Sequence, residues 1–166
     1  VYRNGNWHMT EGPGGTNFGT VVGISTDDRV LGPVSVTHNG VNAVGIGILD
    51  GNGQVTALGA SGSYTNSAFA LRKVTLPGRF GASGEVYYQT YTPNGAQFEI
   101  RRYENGQSNL LFSYPADSDR PGVKQITTLG SVLIDEPQAD SGSSFASGKV
   151  LLWHDGVLST ISEYDH

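Results

Sequence analysis

Asn-Gly and Asp-Gly dipeptides recur along the whole chain and constrain its fold more than any other feature. Asn-Gly occurs at 4–5, 39–40, 52–53, 94–95 and 105–106, and Asp-Gly at 50–51 and 155–156. Both are typical of the two-residue type I′ turn, which requires positive φ at both central residues and joins antiparallel strands. No segment keeps a helical i, i+3, i+4 pattern over three turns. The sequence therefore predicts an all-β chain of antiparallel hairpins.

The spacing of these turns predicts roughly ten to twelve short strands. The clearest hairpins span residues 44–58, 86–103 and 149–161, and further strands are expected at 18–25, 30–36, 68–76, 108–114 and 123–134. Many short strands with short connections are typical of a β-sandwich, a jelly roll or a closed β-barrel. The chain length is sufficient for one core, so we expect a single all-β domain over residues 1–166.

Composition agrees with this fold class and excludes several others. Glycine contributes 24 of 166 residues and charged residues only 15%, against usual shares of roughly 7% and 25%. Such a chain is neither a coiled coil nor a helical bundle. A hydrophobic content of 37% can support a core and argues against disorder. Cysteine is absent, which excludes disulfides, iron–sulfur clusters and thiol catalysis.

The charge balance limits the partners that can be expected. Ten basic and 15 acidic residues give a net charge of −5, and the adjacent basic pairs are Arg72-Lys73 and Arg101-Arg102. Nucleic acids and anionic membranes are bound by clustered cations, so neither is an expected partner. No apolar run approaches the roughly 18 residues of a membrane span. The chain starts at Val1 rather than Met, which favours a mature secreted protein or a domain of a longer polypeptide, and we expect an extracellular location.

Two hairpins raise the question of an internal repeat. Residues 44–58 and 86–103 share the order strand, Asn-Gly turn, strand, with the turns 42 residues apart, a spacing typical of propeller blades. A third copy would turn near residue 136, where Asp135-Glu136-Pro137 stands instead. The pattern therefore favours two ordinary hairpins over a repeat.

Residues 86–103 carry a local family resemblance. The stretch Val86-Tyr87-Tyr88-Gln89, followed by a glycine turn and an outgoing strand, resembles a blade of the fungal and bacterial fucose-binding propeller lectins. The multiple blade copies of that family are missing from this sequence. The resemblance points to glycan binding.

The same segment supplies the first candidate site. With Val86, Tyr88, Phe98 and Ile100 in the core, six residues are expected to face outward: Tyr87, Gln89, Tyr91, Glu99, Arg101 and Tyr103. Tyrosine rings stack on the apolar faces of sugars, while Gln, Glu and Arg bind sugar hydroxyls. The pattern predicts a glycan site, with cross-strand tyrosine pairs of a half-exposed sheet as the alternative.

A repeated Trp-His dipeptide supplies the second candidate. Trp7-His8 and Trp153-His154 contain both tryptophans of the chain. If the terminal strands are neighbours, as is common, the two dipeptides form one aromatic and imidazole cluster. Exposed tryptophans would be a ligand-binding platform, whereas buried ones would belong to the core.

No cofactor is expected, although a structural calcium ion stays open as an alternative. Its oxygen ligands would come from the acidic loops at Asp27-Asp28, at Asp50, or at Asp135-Glu136 with Asp140. The chain lacks the spaced acids of an EF-hand, and the identity of any metal ligand stays unknown.

These patterns leave three functions in order of preference. The first is a non-catalytic, lectin-like carbohydrate-binding domain with a glycan or polysaccharide as partner. The second is a self-assembling subunit of an extracellular fibre or phage appendage, and hence a homo-oligomer, because Gly-rich strands leave edges that can pair. The third is a polysaccharide hydrolase with paired carboxylates or a lyase using His38, Tyr88 and Arg101. No hydrolase elbow or phosphate loop is present.

Overall fold

The computed structural model describes residues 2–3, 6–7, 11–12, 16–17, 21–38, 41–60, 78–91, 97–115, 122–138 and 147–164. Four short strands form two hairpins near the start of the chain. Strand β1 (Tyr2–Arg3) pairs with β2 (Asn6–Trp7), and β3 (Glu11–Gly12) pairs with β4 (Thr16–Asn17).

The other twelve strands of the described residues form three four-stranded antiparallel sheets, in each of which consecutive strands pair. The first sheet contains β5 (Gly23–Ile24), β6 (Val30–His38), β7 (Val41–Leu49) and β8 (Val55–Ala60). The second contains β9 (Gly78–Phe80), β10 (Val86–Tyr91), β11 (Gln97–Glu104) and β12 (Gln107–Pro115). The third contains β13 (Gly122–Ile126), β14 (Val132–Gln138), β15 (Ser147–His154) and β16 (Val157–Tyr164). The all-β prediction is confirmed, and no closed barrel is found among the described residues.

Every Asn-Gly and Asp-Gly dipeptide falls between two strands that pair, as predicted. At the tips of two hairpins, Asn105, Gly106, Asp155 and Gly156 have positive φ, as the type I′ turn requires. The single strand predicted over 123–134 is wrong, because a turn at 127–131 divides it into β13 and β14. The strand predicted over 68–76 lies outside the described residues.

The first turn of each sheet has the same geometry. It spans five residues, of which the fourth has positive φ: Asp28, Gly84 or Gly130. In each turn the amide of the first residue donates to the carbonyl of the fifth, and the amide of the fourth donates to the carbonyl of the first. The three sheets therefore begin with one repeated structural element.

A second repeated feature lies in the third strand of each sheet. The ladder between the third and fourth strands shifts register at Ile46/Gly47, at Ile100/Arg101 and at Val150/Leu151. The described residues thus contain three copies of one four-stranded unit. The two Asn-Gly turns that lie 42 residues apart do not reveal these copies, because they occupy different positions in their units. The Asn52-Gly53 turn joins the third and fourth strands of its sheet, whereas Asn94-Gly95 joins the second and third.

The first sheet packs face to face on the second, and the second packs on the third. One core cluster contains Leu31, Ile46 and Ile48 of the first sheet and Phe80, Val86 and Tyr88 of the second. The other contains residues from the opposite face of the second sheet and from the third: Tyr87, Phe98, Ile100, Ile126, Val132, Ile134, Leu151 and Trp153. The second sheet is therefore covered on both faces, which explains why every side chain described in β10 is buried.

A polar network crosses the outer face of the third sheet. The Tyr164 hydroxyl donates to Asp135 Oδ1 at 2.8 Å, and Lys124 Nζ lies 3.0 Å from Asp135 Oδ2. Burial raises the pKa of the Asp135 carboxyl, but the hydrogen bonds from Tyr164 and Lys124 outweigh it, so this pKa lies below its ordinary value of 3.8. The ionised carboxylate therefore stabilises the folded state.

Acid is expected to remove this stabilisation. Because the folded pKa is depressed, the contribution is present above the unfolded value and is lost as the pH falls through the folded value. In thermal unfolding, the wild type and Asp135→Asn should differ near neutral pH and converge as the pH falls below 3.8. Tyr164→Phe, which keeps the carboxylate but removes one donor, should lie between them. A gap that does not change with pH would contradict this assignment.

Candidate functional site

The first strands of all three sheets line one cleft of about 670 Å³. Its walls come from residues 22–26 of the first unit, residues 78–82 and 84 of the second, and residues 124–126 and 128 of the third. Strands β5, β9 and β13 are edge strands of their sheets, and an edge strand presents backbone N–H and C=O groups outside the ladder. The repeated element of each unit therefore contributes to a single concave site.

The lining combines apolar, polar and cationic side chains. Phe80 and Ile126 are buried core residues that reach the cleft, while Ile24 is largely exposed there. Arg79 is exposed and forms no ion pair with the described residues, whereas Lys124 pairs with Asp135. The hydroxyls of Ser25, Thr26 and Thr128 and the amide of Gln125 complete the polar set. No carboxylate occurs among the described lining residues, although the whole chain carries a net charge of −5.

Arg29 connects the first-unit and second-unit walls of the cleft. Its Nη2 donates to the Gly84 carbonyl at 2.6 Å, and its guanidinium carbon lies 5.3 Å from the centre of the Phe80 ring. Its Nε also pairs with Asp27 at 2.8 Å. Hydrogen bonds from the Ser25 hydroxyl and from Arg29 hold the pKa of Asp27 below its ordinary value. The first turn is thus fixed to the second by side-chain contacts.

Glu85 closes the second turn from inside the protein. This buried carboxylate accepts hydrogen bonds from the Ser83 amide at 2.9 Å and from the Tyr87 hydroxyl at 3.1 Å. Burial raises the pKa of Tyr87, and the hydrogen bond to Glu85 raises it further. These donors satisfy the carboxylate within the turn, so Glu85 positions the cleft wall.

The four residues predicted to lie in the core of segment 86–103 are buried: Val86, Tyr88, Phe98 and Ile100. The prediction that they share one face is wrong. The β10–β11 register pairs Tyr88 with Arg101 and Gln89 with Ile100. Tyr87 and Gln89 therefore share the face of Ile100, which the third sheet covers, and they are only 7% and 4% exposed. Their predicted outward orientation is incorrect because the second sheet has no solvent-facing side at these positions.

The other half of the first candidate site lies on the opposite face of the second sheet. Glu99, Arg101 and Tyr103 are half-buried along β11, and Arg101 Nε lies 2.7 Å from Glu99 Oε2. Tyr103 packs against the cluster shared with the first sheet. The structure thus brings these three residues together but separates them from Tyr87 and Gln89. The side chain of Tyr91 lies outside the described residues.

The second candidate site is described only at one end. Trp153 is 8% exposed, and its ring centre lies 5.7 Å from that of Phe112, so this tryptophan belongs to the core. His154 is exposed, with its Nδ1 2.7 Å from Ser131 Oγ. Trp7 lies in β2, but its side chain and all of His8 lie outside the described residues. The predicted Trp-His cluster therefore stays untested.

The acidic loops use their carboxylates within the protein. Asp50 Oδ1 accepts the amides of Asn52 and Gln54 at 2.8 and 2.9 Å, while Asp27 and Asp135 have the partners given above. Among the described residues, no group of three or more His, Cys, Asp or Glu side chains is placed to hold a metal ion. Asp140 is outside those residues.

Tyr88, the residue suggested for a lyase, is placed in the core. It is fully buried, and its hydroxyl donates to the Leu58 carbonyl at 2.8 Å and lies 2.6 Å from Ser108 Oγ. A buried phenol with two partners cannot reach a polysaccharide chain. The side chain of His38 lies outside the described residues.

In comparisons with known proteins, no family model, no curated protein and no solved structure matches this chain. In the part of the chain that the structure describes, no helix is long and apolar enough to cross a membrane.

The cleft residues Arg79 and Lys124 were not found from the sequence. Strand β9 was not predicted, and Lys124 was placed inside one long strand. The turn that follows the first strand of each sheet could have indicated these residues. It lies at residues 25–29, 81–85 and 127–131. Alignment of these three turns would have placed the three short strands before them at equivalent positions.

Proposed function

We propose that this chain is a non-catalytic carbohydrate-binding domain whose ligand occupies the cleft. The observation that carries the proposal is the convergence of three equivalent edge strands on one concave site. Ligand sites of this kind combine an apolar lining with a few polar groups that fix orientation. Here Phe80 and Ile126 supply the apolar surface, and hydroxyl, amide and guanidinium groups surround it.

The chemistry of the lining favours a saccharide that carries a carboxylate or sulfate group. A sugar ring presents apolar C–H faces and many hydroxyls, which suit the Ile24, Thr26 and Gln125 side chains. An arginine guanidinium such as that of Arg79 forms charge-assisted hydrogen bonds with carboxylate and sulfate oxygens, and no described lining carboxylate opposes such a ligand. Polysaccharides of this class are found outside cells, so an extracellular location belongs to the same proposal.

Arg79→Ala is expected to weaken binding of an acidic oligosaccharide by at least about tenfold, because a hydrogen bond to a charged group contributes about 1.5–3 kcal/mol. A glycan array, run with calcium and with chelator, would select the ligand, and calorimetry would measure its affinity. Lys149→Ala is the matched control, because Lys149 pairs with Glu163 and lies outside the cleft.

Two results would count against the proposal in different ways. An array without any binding in either condition would overturn carbohydrate binding itself. Selective binding that Arg79→Ala leaves unchanged would keep the function but place the site elsewhere. Binding that is seen with calcium but lost with chelator would show that it needs a metal ion, for which the acidic loops are the candidate ligands.

Self-assembly is the second candidate function, and the fourth strands of the sheets favour it. Strand β16 is an edge strand, exposed from Val157 to Glu163, and Leu110 of the edge strand β12 is exposed as well. Exposed edges with apolar side chains can pair with other chains. Filaments in electron micrographs of the concentrated protein would support this function over glycan binding.

A further inference from the structure

The residues that line the cleft occupy the same positions in all three units. The residue directly before each first turn is Ile24, Phe80 or Ile126, and the residue two positions before it is Gly23, Arg79 or Gln125. All six line the cleft. The side chains at these two positions therefore determine the chemistry of each part of the cleft.

The two positions face different neighbours. Phe80 lies in the core cluster shared with the first sheet and Ile126 in the cluster shared with the second, so the position directly before the turn faces the preceding unit. Arg79 lies opposite Tyr87 in the β9–β10 ladder, and residues directly opposite each other share a face. Because Tyr87 packs against the third sheet, Arg79 faces the following unit. Gly23 also faces the following unit, since a Cβ added to it would lie 3.6 Å from Cδ2 of Phe80.

Neighbouring units therefore form two junctions that line the cleft. The first junction, between the first and second units, combines Phe80 with Gly23, which has no side chain. The second junction, between the second and third units, combines Ile126 with Arg79, whose side chain is exposed. The two junctions share an apolar residue and differ in charge.

The other cations near the cleft already have partners. Arg29 Nε lies 2.8 Å from Asp27, and its Nη2 donates to the Gly84 carbonyl. Lys124 Nζ lies 3.0 Å from Asp135. Within the described residues, the second junction therefore has a cation that is free of ion pairs, and the first junction has none.

A ligand that contacts both junctions contains more than one sugar. Sheets that pack face to face lie about 10 Å apart, which is more than the width of a sugar ring. The cleft volume of about 670 Å³ also lies within the roughly 300–1,000 Å³ of pockets that enclose drug-sized ligands. An oligosaccharide can therefore place different sugars at the two junctions.

We propose that the cleft selects oligosaccharides with a single acidic sugar, which binds at the second junction, while neutral sugars bind at the first. This inference rests on the proposed function and adds the position of the charge. The carboxylate or sulfate accepts charge-assisted hydrogen bonds from Arg79, and a neutral ring contacts Phe80 where Gly23 leaves room. An acidic sugar at the first junction would lose water around its anion without gaining a cationic partner, so additional acidic groups lower the affinity.

A glycan array of tetrasaccharides tests this charge pattern. It carries neutral chains, chains with one uronic acid at either end, and chains of uronic acids alone, and calorimetry measures the best ligand of each type. We expect the best singly acidic tetrasaccharide to bind the wild type at least about tenfold more tightly than the best neutral one, because a hydrogen bond to a charged group is gained. It should exceed the best fully acidic one by a similar factor.

Gly23→Arg should change this preference, because it places a guanidinium at the position that corresponds to Arg79. The added side chain starts in ordinary contact with Phe80, and Gly23 is not in the left-handed backbone conformation, so circular dichroism should be unchanged. We expect fully acidic tetrasaccharides to gain at least about tenfold in affinity. Leu110→Arg is the control, because it adds the same charge at an exposed position outside the cleft.

Arg79→Ala tests the second junction without adding bulk. This variant should bind neutral tetrasaccharides as tightly as the wild type does, and it should lose the preference for singly acidic ones. A reduced affinity for all three types would instead indicate a general disturbance of the cleft and would contradict the assigned position of the charge.

Two further results would overturn the charge pattern. One is a wild type that binds fully acidic tetrasaccharides as tightly as singly acidic ones, and the other is a gain for Gly23→Arg no larger than that for Leu110→Arg. In both cases glycan binding is present, so the proposed function survives. An array without binding of any type overturns the proposed function, and this inference with it.

Discussion

Replacing Ile100 by alanine is expected to lower the free energy of unfolding by about 2–5 kcal/mol. Ile100 is fully buried and lies in the cluster between the second and third sheets. Truncation removes the apolar contacts of the side chain and leaves a cavity that its β-sheet neighbours can fill only in part. Urea unfolding, followed by circular dichroism at one protein concentration, measures the change.

Ile161→Ala provides the matched control for this experiment. Ile161 lies in β16 and is 54% exposed, so the same truncation should change the stability by less than about 1 kcal/mol. Equal losses in the two variants would show that the second and third sheets do not share a core.

Replacing Gly130 by alanine is expected to destabilise the protein by about 2–5 kcal/mol. Gly130 has φ of +79°, and an added Cβ would lie 2.5 Å from Cε1 of the Tyr87 ring. The left-handed conformation costs an alanine roughly 1–2 kcal/mol, and overpacking adds about 1–3 kcal/mol. The ring cannot move away freely, because Tyr87 is buried between two sheets.

Gly156→Ala separates the two contributions. Gly156 has φ of +83°, and nothing lies within 4 Å of its ideal Cβ position. This variant should therefore lose only the roughly 1–2 kcal/mol of backbone strain. Thermal unfolding of both variants gives the difference, which measures the contact between Tyr87 and the first turn of the third unit. No difference between the variants would contradict that contact.

The hairpins with Asn-Gly and Asp-Gly turns could be predicted from local sequence, whereas β9, the turn at 127–131 and the faces of the strands could not. Asn-Gly and Asp-Gly turns act through the φ values of two residues, so they can be read without tertiary information. The face of Tyr87 depends on the pairing of β10 with β11, and a shift by one residue moves every side chain to the other face. The structure pairs Tyr88 with Arg101, one residue away from the register that would place Tyr88 and Ile100 on the same face.

The burial of Tyr87 and Gln89 could not be predicted from the sequence either, because it too depends on tertiary packing. Their alternation with Val86 and Tyr88 is typical of a strand with one solvated face. In the structure, however, both faces of β10 are covered by other sheets. The cleft could not be predicted either, because Ile24, Arg79 and Lys124 are more than forty residues apart in sequence. Only the equivalence of the three turns connects them.

The order of the three sheets also determines how the protein can lose structure. Each core cluster joins sheets that are neighbours in the chain, which makes the fold nearly one-dimensional, with stability arising from nearest-neighbour contacts. Detachment of the first or the third unit breaks one cluster, whereas loss of the second breaks both. Partial unfolding should therefore begin at the ends of the stack, and the central strands should open only in global unfolding. The strands of the second sheet are thus expected to open most slowly, and to do so cooperatively with the rest of the protein.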